Sequence, residues 1–208
     1  DHSEDVIMLE DFRADPIKSK LNTPSGKIEI FSETINSFGY DDCPGHPVWL
    51  EPCEWLGQKD KKYQLHLISN QPKDKLHSQL DHGKFSRSNK VNGREPVFIN
   101  KNDAIKRNLK DKDLVQVYND RGSCYASVVI DNNLRSDVVL ISTGAWYDPI
   151  DPSINNSPCK NGNPNTLTPD KGTSSLAQGP IAHTCMVEIR LAEGEIPPVT
   201  AYDPPRFI

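Results

Sequence analysis

Residues 114–130 read Leu114-Val115-Gln116-Val117-Tyr118-Asn119-Asp120-Arg121-Gly122-Ser123-Cys124-Tyr125-Ala126-Ser127-Val128-Val129-Ile130. Two β-rich runs flank a short polar turn, the pattern of a β-hairpin. Cys124, Ala126, Val128 and Ile130 alternate, which puts them on one face of the return strand. Gly122 is expected to supply a positive φ in the turn.

Outward from this hairpin the same signals recur. Tyr63-Gln64-Leu65-His66-Leu67-Ile68-Ser69 predicts a strand, as do Val97-Phe98-Ile99, Val138-Val139-Leu140-Ile141-Ser142 and the alternating run from His183 to Leu191. Asn100 follows a strand and its side chain can accept first-turn amides, so a helix is expected over 101–108. Lys27-Ile28-Glu29-Ile30-Phe31 also alternates and predicts a further short strand. Six or seven short strands with one helix and two long polar loops predict a mainly β domain closed into a barrel, because closure removes sheet edges.

The expected organisation is an arm or inter-domain segment over 1–62, a barrel over 63–191 and a proline-rich tail over 192–208. Of the 17 prolines, most cluster at 44–52, 149–169 and 197–205, and predict ordered but irregular coil. Trp49 and Trp55 lie in such coil and are expected to pack, either on this domain or on another part of a longer protein. The charged beginning Asp1-His2-Ser3-Glu4-Asp5 reads as the interior of a longer polypeptide or as a processed end.

Composition excludes several classes. Net charge is −5 and the lysines and arginines are interspersed with acids, so no nucleic-acid-binding stripe is present. No apolar run approaches the roughly 18 residues of a membrane span. The five cysteines, Cys43, Cys53, Cys124, Cys159 and Cys185, form no C-x-x-C pair and are read as idle or buried thiols. His77 and His82 lack cysteine or carboxylate neighbours at zinc-like spacing, so no metal site is assigned to this chain. No G-x-S-x-G elbow supports a hydrolase built on His77 and Ser78, and no catalytic residue is assigned.

Two loops carry more chemistry than connectors need. The first holds Ser69-Asn70-Gln71-Pro72 and Leu76-His77-Ser78-Gln79, a set of hydroxyl, amide and imidazole groups directly after a strand. The second runs from Asn161-Gly162-Asn163-Pro164-Asn165 through Asp170-Lys171-Gly172-Thr173-Ser174 to Gln178-Gly179, and its glycines permit close approach of a ligand. Candidate binding residues are therefore Ser69, Asn70, Gln71, His77, Ser78, Gln79, Asn163, Asn165 and Gln178. They are expected to converge at one end of the barrel and to meet a ligand with neutral donors rather than lysines.

Leu67 to Gln79, Asn119 to Gly122, Ser142-Thr143-Gly144-Ala145-Trp146-Tyr147-Asp148-Pro149 and Asn161 to Gly179 together resemble the C-terminal domain of the dimethyl sulfoxide reductase family. The branch they resemble most is that of the trimethylamine N-oxide and biotin sulfoxide reductases. The resemblance implies a double-psi, aspartate decarboxylase-like β-barrel that grips the bis(molybdopterin guanine dinucleotide) molybdenum cofactor from one side. It implies a place in an enzyme that reduces N-oxides or S-oxides by oxygen-atom transfer, with the metal ligand upstream, so that this chain alone is not catalytic. The implied partners are the upstream domains of the same polypeptide and an electron-donating cytochrome. The implied compartment is the periplasm, with the cytoplasm as alternative. The competing readings are a stand-alone small-ligand-binding barrel and an interaction domain docked through the Trp49–Trp55 region.

Overall fold

The structure is a computed structural model and describes residues 5–204. Six strands close into a barrel: β1 (Leu65–Ile68), β2 (Pro96–Ile99), β3 (Leu114–Tyr118), β4 (Ser123–Ile130), β5 (Val138–Leu140) and β6 (Met186–Leu191), in the spatial order β1-β5-β2-β4-β3-β6. The mainly β barrel expected from the strand pattern is present.

The alternating residues meet inside. Leu65, Leu67, Val97, Ile99, Val115, Val117, Ala126, Val128, Val139 and Val187 are fully buried. Each buried Val, Leu or Ile side chain contributes roughly 1.5–3 kcal/mol of transfer free energy, so these positions fix the strand register. Ile130, expected on the same face, packs against this core from its edge.

Register decides which loops share a rim. β1 runs parallel to β5 (Ile68 opposite Leu140), so both strands end at the same side of the barrel. β2 runs antiparallel to β5 and parallel to β4, so β2 and β4 begin there. β3 ends there through its antiparallel pairing with β4, and β6 begins there. The connections 69–95, 119–122 and 141–185 therefore all emerge at one rim. Among the described strands, the β2–β3 and β4–β5 connections and the outer ends of β1 and β6 lie at the opposite rim.

Among the described residues four short α-helices accompany the strands: α1 (Glu10–Ala14), α2 (Glu33–Asn36), α3 (Lys84–Ser88) and α4 (Lys101–Lys106). Asn100 caps α4, accepting from the Asn102 amide at 2.9 Å and donating to the Leu134 carbonyl at 2.7 Å. The helix stops earlier than expected. Asn108 adopts a left-handed φ of 55°, and the Arg107 guanidinium is drawn to Glu188 at 2.6 Å.

The chain divides into two compact units, residues 1–50 with 174–177, and residues 51–173 with 178–208. In the first, the strand expected over 27–31 does not form. Ile28 and Ile30 are 72% and 82% exposed, so the alternation there buries nothing and recruits no partner strand.

Gly122 also departs from the sequence expectation. Its φ is not positive. A Cβ at this position would lie 2.7 Å from the Thr166 carbonyl oxygen, so the glycine serves close packing of the hairpin tip rather than a left-handed turn.

Candidate functional site

The first candidate loop begins by tying two parallel strands together. The Ser142 hydroxyl donates to Asn70 Oδ1 at 3.0 Å, and the Thr143 amide donates to the Asn70 carbonyl at 2.9 Å. Ser69 is half-buried beside them, and Gln71 donates to the Lys75 carbonyl at 2.9 Å. Asn70, Gln71 and Ser142 line a cavity of about 490 Å³ with Lys73, Ser86 and Asn89. Outward-facing Phe98 and Leu140 also line it, so it runs along the outside of the barrel wall rather than into its mouth. Ser86 is 2% exposed, and its Oγ has no hydrogen-bond partner among the described residues. An orphaned hydroxyl in a cavity of mixed polarity suits a ligand with an apolar face and hydrogen-bonding groups.

Farther along, His77 and Leu80 have φ values of 50° and 66°, a left-handed conformation that costs a side-chain-bearing residue free energy. This bend presses the His77 carbonyl against Gly144, where an added Cβ would sit 1.7 Å from the oxygen. Trp146 Nε1 donates to the Ser78 carbonyl at 2.7 Å. His77, Ser78 and Gln79 are thus fixed through their backbones, and their side chains are exposed.

The second loop is built around a 3-10 turn, Pro164–Thr166. Asn163 caps it, accepting from the Asn165 amide at 2.9 Å. Asn163 and Asn165 line a different cavity of about 270 Å³, with Arg121, Gly122 and Tyr147. Gln178 lines neither cavity and lies against Gly172, where a Cβ would come within 2.4 Å of its Oε1.

The candidate residues therefore share a rim, but they do not share one cavity. Asn70 and Gln71 face one cavity, Asn163 and Asn165 another, and the segment 142–147 contributes to both through Ser142 and Tyr147.

Sequence reasoning missed the charges beneath this rim. Lys75 contacts Asp81 and Glu95 at 2.9 Å each, and Lys90 contacts the same carboxylates at 3.1 and 2.7 Å. All four side chains are at most 7% exposed. Two cations and two carboxylates form a closed, neutral ring, which lets each ion leave water without an unpaired partner. Asp81 also accepts from the Trp146 amide at 2.9 Å and from the Tyr202 hydroxyl at 2.6 Å. Burial pushes the Asp81 carboxyl up, but the hydrogen bonds from Tyr202, Lys75 and Trp146, with the Lys90 charge, outweigh it and hold the carboxyl at about 2. Burial and the Asp81 carboxylate both push the Tyr202 phenol up. The ring thus pins the first loop to the 142–147 segment and to Tyr202. No local pattern reveals it, because Lys75 and Glu95 are 20 positions apart, with α3 between them.

Arg121 makes a second anchor. Its guanidinium grips Glu54 at 2.5 and 3.0 Å and donates to the Leu167 carbonyl at 2.6 Å, while Glu54 accepts from the Met186 amide at 2.7 Å. Burial pushes the Glu54 carboxyl up, but the Arg121 and Met186 contacts prevail and lower it. Among the described residues no group of three His, Cys, Asp or Glu side chains is placed to hold a metal ion, and no helix is long and apolar enough to cross a membrane.

Comparison with known proteins now adds to this geometry. Residues 65–186, which span all of the barrel but most of β6, match the family model described as "Molydopterin dinucleotide binding domain". The chain belongs to this family. It is 44% identical over 199 residues to the trimethylamine-N-oxide reductase of Haemophilus influenzae, covering 95% of this chain and 24% of that protein. It is 42% identical over 200 residues to the dimethyl sulfoxide/trimethylamine N-oxide reductase of Cereibacter sphaeroides, covering 96% of this chain and 24% of that protein. Similarity to trimethylamine-N-oxide reductase 1 of Escherichia coli K12 is 45% over 203 residues, again 96% and 24%. The chain thus spans about a quarter of the length of these relatives. Among solved structures, acetylene hydratase from Pelobacter acetylenicus superposes with a TM-score of 0.66 over 86% of this chain and 25% of that one, at 17% identity, a likeness of fold.

As a molybdopterin dinucleotide-binding domain, the chain has a donor set that suits the group. Amides and hydroxyls of Asn70, Gln71, Ser86 and Asn163 can meet the polar heterocycles and phosphates of a dinucleotide, and the glycines at 144 and 162 let the surrounding backbones close up tightly.

Proposed function

We propose that the chain is the cofactor-binding domain of a molybdenum oxidoreductase that reduces N-oxides or S-oxides. The observation that carries this reading is the shared rim: loops 69–79 and 161–179, joined by 142–147, present neutral polar groups beside the charged Lys73, Lys90 and Arg121 on a barrel of the dinucleotide-binding family. In this reading Ser69, Asn70, Gln71, His77, Ser78 and Gln79 bind one part of the bis(molybdopterin guanine dinucleotide) group. Asn163, Asn165 and Gln178 bind another. The cofactor supplies the oxygen-atom transfer and its electrons; this chain supplies grip and orientation. Its exposed His77, Ser78 and Gln79 donate to phosphate or pterin, while the buried Lys75–Asp81–Lys90–Glu95 ring holds their backbone in place.

The proposal extends to finer points. The barrel is read as double-psi, residues 1–62 as an arm that packs on upstream domains of the same polypeptide, and residues 192–208 as a tail. The parent enzyme is placed in the periplasm and takes electrons from a cytochrome. Relatives named for trimethylamine N-oxide support the N-oxide substrate over biotin sulfoxide, and the relative named for both dimethyl sulfoxide and trimethylamine N-oxide keeps dimethyl sulfoxide as a second substrate. The test is reduction of these three oxides by the full-length polypeptide, followed by oxidation of an artificial dye donor. Turnover with an N-oxide, lost when molybdenum is withheld during expression, is expected. A full-length polypeptide that contains no molybdenum and turns over none of the three would refute the reading.

A further inference from the structure

Helix α3 has two cavities, one on each side. Ser86 and Asn89 face the rim cavity described above, whereas Lys84 and Arg87 face another of about 720 Å³. His82, Arg94 and Tyr202 also line it, and Lys90 touches both cavities. The second cavity is strongly basic in a chain whose net charge is −5.

Three of its four lysine and arginine side chains are not neutralised by a carboxylate among the described residues. The ion pairs of this region join Lys90 to Asp81 and Glu95, and Lys160 to Asp148. Among the described residues Lys84, Arg87 and Arg94 have no carboxylate within ion-pairing distance. Arg87 lies over the Tyr202 ring at 5.2 Å, a contact that orients the guanidinium without discharging it. Arg94 is the sharper case. It is 7% exposed; its Nη2 donates to the Pro197 carbonyl at 2.6 Å, its Nη1 reaches the Asn92 carbonyl at 3.5 Å, and its Nε has no acceptor. Asp148 contributes to the field at Arg94 but is itself held by Lys160 and by Thr200. A buried guanidinium with an orphaned N–H and no counter-ion is costly, and a bound anion removes that cost.

We propose that this cavity is a binding site for a compact phosphate-class anion, separate from the rim cavities. Three features favour phosphate over the carboxylates of an acidic peptide. The orphaned N–H belongs to an arginine that is only 7% exposed. The guanidinium fork matches a phosphoryl group in bidentate geometry. Lys84 and Arg87 stand on one side of a single helix and can meet the remaining oxygens. The inference does not rest on the oxide-reductase reading, since it concerns other residues and a different readout.

The test is titration of inorganic pyrophosphate into the full-length polypeptide carrying this chain, cofactor-loaded so that any phosphate groups of the cofactor are already in place. Saturable binding that weakens with salt is expected. Lys84→Gln and Arg87→Gln, both at exposed positions, should each weaken it about tenfold, the scale of one charge-assisted hydrogen bond, with cofactor content unchanged. Arg94→Gln should abolish it; circular dichroism reports whether that variant folds, and the two exposed variants carry the test if it does not. A nucleoside diphosphate that binds more tightly than pyrophosphate identifies a nucleotide as the source, and equal affinity identifies the free anion. The proposal is overturned if pyrophosphate does not bind, if the Lys84 and Arg87 variants bind it unchanged, or if an acidic peptide binds more tightly. Loss of cofactor from these variants would overturn the claim of a separate site.

Discussion

Gly144 is where two backbones of the rim come closest. Its φ of 99° already excludes most side chains, and an added methyl would overlap the His77 carbonyl at 1.7 Å. Neither atom is the end of a flexible side chain, so the clash can be relieved only by moving a loop. Gly144→Ala should cost about 3 kcal/mol, from strain and overpacking together, read as a lowered urea midpoint. Gly93→Ala is the control: its φ is 74° but nothing lies within 4 Å, so only the backbone cost of about 1 kcal/mol is expected. Equal losses at the two positions would show that the backbone contact carries no weight. Asp81 tests the buried ring in the same way. Asp81→Asn leaves two buried lysines facing one carboxylate, and a loss of about 3–5 kcal/mol is expected. The pH dependence follows from the same carboxyl. Its folded value of about 2 lies below the ordinary 3.8, so its stabilisation is complete above about pH 4 and disappears as the pH falls through 2. The midpoint of wild-type unfolding should therefore decline across that window more steeply than that of Asp81→Asn. Parallel curves would contradict the assignment.

At the scale of elements, alternation did most of the work. β1, β3 and β6 stand where buried apolar residues alternate, from Leu65 and Leu67 to Val187 and Ile189, β4 alternates at its inward face, and β2 and β5 are short continuous apolar runs. The same alternation at 27–31 misled, since periodicity records only that a segment could bury a face, not that a neighbour exists to cover it. α4 was legible from Asn100, whose side chain makes the expected cap. Asn100→Ala removes that bond and the one to Leu134, and should cost about 1–2 kcal/mol in urea unfolding. A change within experimental error would remove the cap from the account. The polar loops were legible as candidate binding segments and do leave one rim. Their division between two cavities was not, because it depends on the path of residues 142–147, on the outward faces of Phe98 and Leu140, and on long-range ion pairs such as Lys75–Glu95. Arg121 was visible in the hairpin turn, but its partner Glu54 lies 67 residues away in proline-rich coil. Nothing local signals that pairing.

For the whole molecule, closure of the barrel gathers three connections at one rim and leaves the other rim to short turns and a helix. Family membership and the neutral donors of that rim converge on a dinucleotide cofactor, and the central claim is that Asn70 and Gln71 help to hold it. Both line the cavity, and neither is part of the barrel core or the ion ring, so the double substitution Asn70→Ala/Gln71→Ala should leave most of the fold in place. The most direct measurement is the content of molybdenum and of acid-released guanine nucleotide in the purified full-length polypeptide. The account predicts two guanines per molybdenum in the wild type. In the double variant, both should fall together, at least about fivefold under limiting cofactor, as each hydrogen bond lost to the bound group costs about 1 kcal/mol or more. A wild-type polypeptide lacking both molybdenum and guanine nucleotide, or a folded double variant with full content, would contradict it.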